Sequence, residues 1–421
     1  MASPKLRFKE FDEDWSDSKL GQLIGISSAS RVFKEQWQTS GVPFFRTSDV
    51  VSISKNKENE KAYISLELFE ELSKKSGKIQ KGDLLVTGGG TIGIPYLVEN
   101  DEPLYFKDAD LLWMKSSGII DGSFLYNFFI SPKFREYLKS ISHTGTISHF
   151  TIEQAKVTPF QYPSKEEQTK IATFLSAVDE KISQLSQKLH LLGQYKQGMM
   201  QKLFSQQIRF KANDGSEFGE WGKVKFSESF VFHNTNSYSR ALLSEVGEVM
   251  NIHYGDIHTK FSMLFDVSKE IVPFLNDQID STKIAENQFL KEGDLVIADA
   301  SEDYKDIGKA IEVVHLNNQK VVAGLHTYIA RPVQPFALGF CGYLMQTFEV
   351  REQIKKLATG ISVLGISKTN IGKVEIKLPS LEEQTKIANF LSSIDQKIEV
   401  VAQQIEQAKL WKKGLLQQMF V

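Results

Sequence analysis

Apolar residues recur at alternating four- and three-residue intervals through two long stretches of this chain. In the first, Ile171, Leu175, Val178, Ile182, Leu185, Leu189, Leu192, Met199 and Leu203 keep the spacing, and Lys196 alone interrupts it. In the second, Ile387, Leu391, Ile394, Ile398, Val401, Ile405, Ala408, Leu415 and Met419 repeat it, and Lys412 stands where Lys196 does. A narrow stripe kept up for about five heptads predicts a helix seamed against another helix. Packing on a sheet would call for a wider apolar face, so coiled coil is favoured over an ordinary buried helix. Both stretches open on a serine followed three residues later by glutamate, Ser164 with Glu167 and Ser380 with Glu383. These read as capping boxes, in which the serine oxygen takes a free amide and the glutamate reaches back to the cap. Carboxylates at the start and lysines at the end (Lys196, Lys202; Lys409, Lys412, Lys413) suit the helix dipole.

The two stretches are copies of one another, PSKEEQTKIATFLSAVDEKI from Pro163 and PSLEEQTKIANFLSSIDQKI from Pro379, offset by 216 positions. Weaker echoes lie upstream. Leu6-Arg7-Phe8 with Trp15 recurs as Ile208-Arg209-Phe210 with Trp221, Gly82-Asp83-Leu84-Leu85-Val86 as Gly293-Asp294-Leu295-Val296-Ile297, and Thr144-Gly145-Thr146 as Thr359-Gly360-Ile361. A duplication that closes each half predicts two equivalent halves, each a globular region followed by a long helix. The expected boundaries are 1–162, 163–205, 206–378 and 379–421.

The globular regions mix short β-branched runs (Asp83 to Val86, Ile94 to Val98, Val321 to Ala323) with helical stretches such as Phe124 to Ser140, which predicts an α+β class. The aromatic runs at Phe124 to Phe129 and Gly342 to Gln346 read as core. At 421 residues there is room for several full cores, and 41% hydrophobic with 24% charged residues is ordinary globular composition. No run is long and apolar enough to cross a bilayer and no leader is evident, so a cytoplasmic protein without a membrane partner is expected. Cys341 is the sole cysteine and reads as a core residue rather than a nucleophile. A net charge of −2 does not advertise a polyanion partner, although nucleic-acid binding needs only a local basic surface.

No catalytic motif emerges. Gly88-Gly89-Gly90-Thr91 lacks the Gly-Lys-Ser/Thr ending of a phosphate loop, and its counterpart Asp299 to Asp303 keeps no glycine. His253 and His258 could be drawn as metal ligands around Asp256, but no His-Glu-x-x-His helix supports them. Glu70-Glu71 and Glu382-Glu383 read as solvated faces or caps. What remains is a set of polar loops with the side chains that bond phosphates and base edges. In the first half the candidates are Ser30, Arg31, Lys34, Arg46, Thr47, Thr87, Gly89, Thr91, His143, Thr144, Thr146, Ser148 and His149. In the second they are Asn236, Tyr238, Arg240, His253, Tyr254, His258, Lys260, Ser301, Tyr304, Lys305, His326, Thr359 and Ser362. For any single one, a solvated surface charge or a packing role competes with DNA contact.

With these features in place the whole chain resembles the specificity (S) subunit of type I restriction-modification systems, most sharply in the two cassettes and in the Lys81-Gly82-Asp83 and Glu292-Gly293-Asp294 stretches. The resemblance implies two target-recognition domains, each reading one half of a bipartite asymmetric site in double-stranded DNA. The two long helices would form an antiparallel coiled coil between them, with pseudo-two-fold internal symmetry. It implies a non-catalytic chain without its own cofactor. Methyltransferase (M) subunits, two by the symmetry, would dock on the helices and bring S-adenosylmethionine to methylate adenine, and restriction (R) motor subunits would join for cleavage. Family members often carry an arginine- or serine-rich loop after the Gly-Asp strand; here Thr87-Gly88-Gly89-Gly90 favours close backbone approach or turn-making. A helix of about forty residues rises roughly 60 Å, enough to hold two domains about a turn of DNA apart. The alternatives are a coiled-coil scaffold that joins proteins without touching DNA, and a self-contained methyltransferase or nuclease.

Overall fold

The computed structural model describes residues 3–107, 110–116, 118–141 and 149–420. The two stripes form helices Lys165–Phe204 and Leu381–Met419. The chain divides into two compact units, Met1–Gln187 with Ala402–Val421, and Lys188–Val401. Each unit thus joins one globular region to the start of the long helix that follows it and to the end of the other long helix. In the first unit Phe174 meets Trp411 edge to face at 5.9 Å, and Lys412 Nζ lies 2.6 Å from Asp179 Oδ1. In the second, Lys196 Nζ lies 2.5 Å from Asp395 Oδ1. Start lies beside end in both, so the helices pair antiparallel. The lysines that break the apolar stripe are therefore cross-helix ion-pair donors, each facing an aspartate the stripe does not contain.

The start of each long helix also packs on its globular region. Ile171, Leu175 and Val178 share a core with Phe124, Phe128 and Phe160, and Ile387, Leu391 and Ile394 share one with Phe340 and Tyr343. The serines cap these helices as expected, with Glu167 N donating to Ser164 Oγ at 3.4 Å and Glu383 N to Ser380 Oγ at 3.3 Å. The glutamates do not reach back. Buried Glu167 accepts Arg7 Nε and Nη2 at 2.8 and 2.7 Å, and buried Glu383 accepts Arg209 at 3.0 and 2.7 Å and Trp221 Nε1 at 3.1 Å. A bidentate guanidinium is a stronger partner than one backbone amide, so the box opens in favour of the ion pair. This explains why Leu-Arg-Phe and Ile-Arg-Phe recur far upstream of the cassettes. It also corrects the view of Glu382-Glu383 as a solvated face, which holds for exposed Glu382 only.

In the first unit the strands Ile26–Ser27, Leu111–Met114, Leu84–Thr87 and Pro95–Leu97 form an antiparallel sheet in that order. A second sheet orders Ala62–Ile64, Val42–Phe45 and Tyr105–Phe106. In the second unit a five-stranded sheet orders Phe230–His233, Thr327–Pro332, Leu295–Ala298, Ala310–His315 and Leu264–Asp266. The repeated Gly-Asp stretches lead into a sheet strand in each unit. Leu84 and Val86 face one core and Leu85 another, just as Leu295 and Ile297 face one and Val296 and Ala298 another. Burial on both faces is why these strands read as unbroken apolar runs rather than alternating ones. Gly82 and Gly293 both take φ of +89°, a left-handed turn that disfavours a side chain. The aspartates after them hold the turns. Asp83 accepts Trp113 Nε1 at 2.8 Å and Ser116 N at 2.6 Å, and Asp294 accepts Arg331 Nε at 2.8 Å and Lys291 N at 2.8 Å.

The expected helical stretch Phe124 to Ser140 is two helices, Gly122–Ile130 and Pro132–Ser140. Pro132 cannot donate to a helix ladder, and Ser131 ends one helix and caps the next by accepting from Phe134 N. Cys341 is buried in the helix Phe340–Met345, and its thiol is pushed up by that burial. Beneath the same turn Glu312, 1% exposed, accepts Gly339 N at 2.7 Å and Gly342 N at 2.6 Å.

Burial pushes the Glu312 carboxyl from 4.5 up to about 7, with the backbone amides opposing it. Because the folded value lies above the unfolded one, the protonated form is favoured by folding. The associated stability is complete below about pH 4.5 and is lost as pH rises through about 7. The expected outcome is that the thermal midpoint of the wild type falls relative to Glu312→Gln between about pH 5 and about pH 8. Parallel midpoint curves over that range would show that the amide donors fully offset the burial.

Candidate nucleic-acid interface

In the second unit five polar loops converge. The short strand Ala300–Ser301 pairs with Leu364–Gly365, which brings the loop after the central strand beside the hairpin at Thr359. Thr359 and Gly365 exchange backbone bonds at 2.9 and 2.7 Å, and the tip between them exposes Ser362 and Ile361. His258 Nε2 bonds the carbonyl of Ala300 at 3.0 Å, and His326 Nδ1 bonds Asp299 Oδ1 at 3.1 Å. The ring of Tyr254 stands between them, 5.3 Å from His326 and 6.2 Å from His258. His326 takes φ of +56°, a left-handed conformation uncommon outside glycine, and its ring stays half-exposed.

The cations of this face are tethered. Asp256, buried in the helix Tyr254–Thr259, takes Arg240 Nη2 at 2.8 Å and Lys260 Nζ at 3.0 Å while both cations stay half-exposed or more. Burial acts to raise the Asp256 carboxyl, but the bonds and charges of Arg240 and Lys260 outweigh it and hold it below the usual carboxylate range. Tyr304 and Lys305 are exposed at the loop tip. Other expected contacts turn inward. His253 caps the helix by accepting Gly255 N at 3.1 Å, with its ring depressed first by burial and then by Arg240. Ser301 is buried and bonds Asp303 O at 2.9 Å, so its hydroxyl belongs to the turn. Asn236 ties Asn251 at 3.1 Å and accepts the amide of Tyr238, whose ring packs at a core edge. Among the described residues no group of three His, Cys, Asp or Glu side chains could hold a metal.

In the first unit the loops at 46–49, 87–91 and 149 meet around Asp110. Its carbonyl accepts Gly88 N at 2.8 Å and Thr47 Oγ1 at 3.4 Å, and its carboxylate takes Lys107 at 2.6 Å. Gly89 forms a bridge with His149, and Phe150 N donates to Gly88 O at 2.7 Å. Thr91 and His149 are exposed, whereas Thr87 is fully buried and its hydroxyl is spent on Thr91 O and Ile94 N. The glycine run is thus a turn. Arg46 is committed internally to Asp49 at 2.9 Å and over the Trp37 ring at 5.6 Å. Ser30 is pinned through its backbone by the Tyr105 hydroxyl. Arg31 and Lys34 are exposed, Arg31 over the ring of Phe33. His143, Thr144, Thr146 and Ser148 lie outside the described residues.

The sequence misses Asp256, Asp299 and Asp110 as organisers. Asp256 and Asp110 do have a lysine four and three positions away, but the partners that make them junctions, Arg240 for Asp256, the Gly88 amide for Asp110 and His326 for Asp299, lie well outside any local spacing. No helix among the described residues is long and apolar enough to cross a membrane.

The family described as type I restriction modification DNA specificity domain matches the chain twice, over residues 12–192 and 220–410. The chain is 25% identical over 431 aligned positions to the type I restriction enzyme MjaVIII specificity subunit of Methanocaldococcus jannaschii, covering 96% of this chain and 91% of that protein. Among solved structures it resembles the S subunit of a type I restriction-modification system from M. genitalium, with a TM-score of 0.56, 15% identity and coverage of 100% and 99%. It also resembles the HsdS subunit of Thermoanaerobacter tengcongensis, with a TM-score of 0.51, 16% identity and coverage of 97% of each chain.

Proposed function

As the chain belongs to the type I restriction-modification DNA specificity family, we propose that its two globular regions each read one half of a bipartite, asymmetric site in double-stranded DNA. The observation that carries this reading is the contrast between halves. Scaffold elements match position by position, from the Arg7–Glu167 and Arg209–Glu383 pairs to the cross-helix lysines, while the loops that cluster at one place in each unit disagree. Symmetric scaffold with unlike readers yields an asymmetric site. In the second region Arg240, Lys260, Tyr254, His326, Tyr304 and Lys305 would make the contacts. In the first they would come from Arg31, Lys34, Thr91 and His149. Thr87 and Ser301 hold turns instead.

The antiparallel helices would fix the gap between half-sites and dock methyltransferase subunits, two by the internal symmetry. Those subunits would carry S-adenosylmethionine and the chemistry, restriction subunits would join them, and the assembly would work in the cytoplasm. This chain would be non-catalytic.

Domain exchange tests the reading. Replacing residues 1–162 by the equivalent region of a relative, in the assembled complex, is expected to change one half of the methylated sequence when methyladenines are mapped genome-wide. A change in both halves, or in neither, counts against modular reading. A scaffold that never touches DNA would instead leave duplex binding by the complex without the salt slope that phosphate contacts impose.

A further inference from the structure

The loop after the central strand ends in both units on an isoleucine-glycine pair, Ile92-Gly93 and Ile307-Gly308. Gly93 and Gly308 take φ of +70° and +63°. A Cβ on Gly93 would stand 2.8 Å from Leu138 Cδ1, and one on Gly308 2.6 Å from Ile354 Cγ2. The loop stem is therefore pressed against a helix, Pro132–Ser140 in one unit and Phe348–Leu357 in the other. From one turn earlier on each helix an arginine rises to the same stem. Arg135 Nη1 donates to Ile92 O at 3.2 Å, and Arg351 Nη2 donates to Ile307 O at 2.6 Å and Lys305 O at 2.8 Å.

Both guanidiniums are costly. Burial holds each below its ordinary value, relieved in Arg351 only in part by the charges of Asp306 and Glu352. Arg351 is 9% exposed, and its Nη1 is buried without a hydrogen-bond partner among the described residues. A charge withdrawn from water without a paired carboxylate is unfavourable. That cost recurs at matching positions although the loops it serves, Gly88-Gly89-Gly90 and Ala300-Ser301-Glu302, share nothing. The shared feature is the kind of acceptor. Each arginine grips backbone carbonyls, which every loop sequence supplies.

We infer that Arg135 and Arg351 are positioning residues for DNA specificity, each clamping the stem of a reading loop through its carbonyls so that the tip can vary without losing its aim. The inference rests on the proposal that these loops face DNA.

The test uses the full chain in complex with its methyltransferase partner and reads the methylated motif genome-wide. Arg351→Met is expected to relax discrimination at one or more positions of the second region's half-site by about tenfold, with the other half-site unchanged. Arg351→Lys keeps a donor for the carbonyls and is expected to relax it less. If Arg351→Met yields no soluble chain, Arg351→Lys carries the test by the same criterion. A uniform fall in methylation with an intact motif would mean a merely structural role and overturn the inference. The double variant Tyr304→Ala/Lys305→Ala separates the two ideas. An unchanged motif there refutes reading by this loop, and with it the clamp's purpose. A changed motif there, with the motif intact in the Arg351 variants, refutes the clamp alone.

Discussion

Replacing Glu383 by glutamine is expected to destabilise the second unit by about 3 kcal/mol, the cost of leaving one member of a buried ion pair without its counter-charge. Glu383 is 1% exposed and holds Arg209 through two bonds and Trp221 Nε1 through a third. Glutamine can still accept from one donor, but its amide nitrogen would face another donor and Arg209 would lose its anion. Arg209→Ala should cost a similar amount, because the buried carboxylate would keep only the indole. The double variant Arg209→Met/Glu383→Leu should recover much of the loss, since well-packed apolar replacement of a buried pair is often neutral or better. Hydrogen exchange across 206–225 and 379–390 resolves the effect from the first unit's unfolding. A loss below about 1 kcal/mol in both single variants would mean that solvent reaches the pair, contrary to its burial.

Asp395→Ala is expected to cost more than its counterpart Asp179→Ala, although both remove the acceptor of a cross-helix lysine. Asp395 takes Lys196 at 2.5 Å and also the hydroxyl of Tyr343 at 2.7 Å, whose side chain is fully buried. That phenol is pushed up first by burial and then by its bond to Asp395, and without the carboxylate its hydroxyl has no acceptor. An orphaned buried hydroxyl adds about 1–3 kcal/mol to the loss of the pair. Asp179, half-exposed, takes Lys412 and no second donor among the described residues, and its removal should cost about 1 kcal/mol. The comparison is made by hydrogen exchange at 340–345 and along the start of each long helix. Equal losses in the two variants would show that the tyrosine bond contributes nothing.

Much of the fold was legible before any coordinates. The 4-3 stripe predicted both long helices nearly to their ends, and the Gly-Asp repeats marked the central strands. The break at Ser131-Pro132 was missed because the aromatic spacing on either side continues in phase, while the proline that ends the first helix gives no apolar signal. The capping boxes were half right for a related reason. Serine's role depends on the next three residues, but glutamate's depends on an arginine 160 positions away in one half and 174 in the other. Of the candidate interface the sequence picked out the loops, and the structure sorted them. Tyr254, His326 and Arg240 gather around Asp256 and Asp299, whereas Thr87, Ser301, His253 and Arg46 spend their polar atoms on turns, a cap and an internal ion pair.

What the sequence by itself determined is the repetition: two halves, two helices and two strand-entry turns, together with the antiparallel coil that resemblance to a family implied. Helix period, caps and glycine turns are set by residues within a few positions of each other, so they survive in the string of letters. Only the tertiary structure decided which long-range partner each charge meets. Lys196 and Lys412 change from interruptions into cross-helix ties and Glu167 and Glu383 from caps into anchors, while Arg135 and Arg351, which no motif marks, meet backbone carbonyls of the loops after the central strands. Those outcomes depend on which buried acceptors packing brings within about 3 Å, and no spacing along the chain encodes that distance.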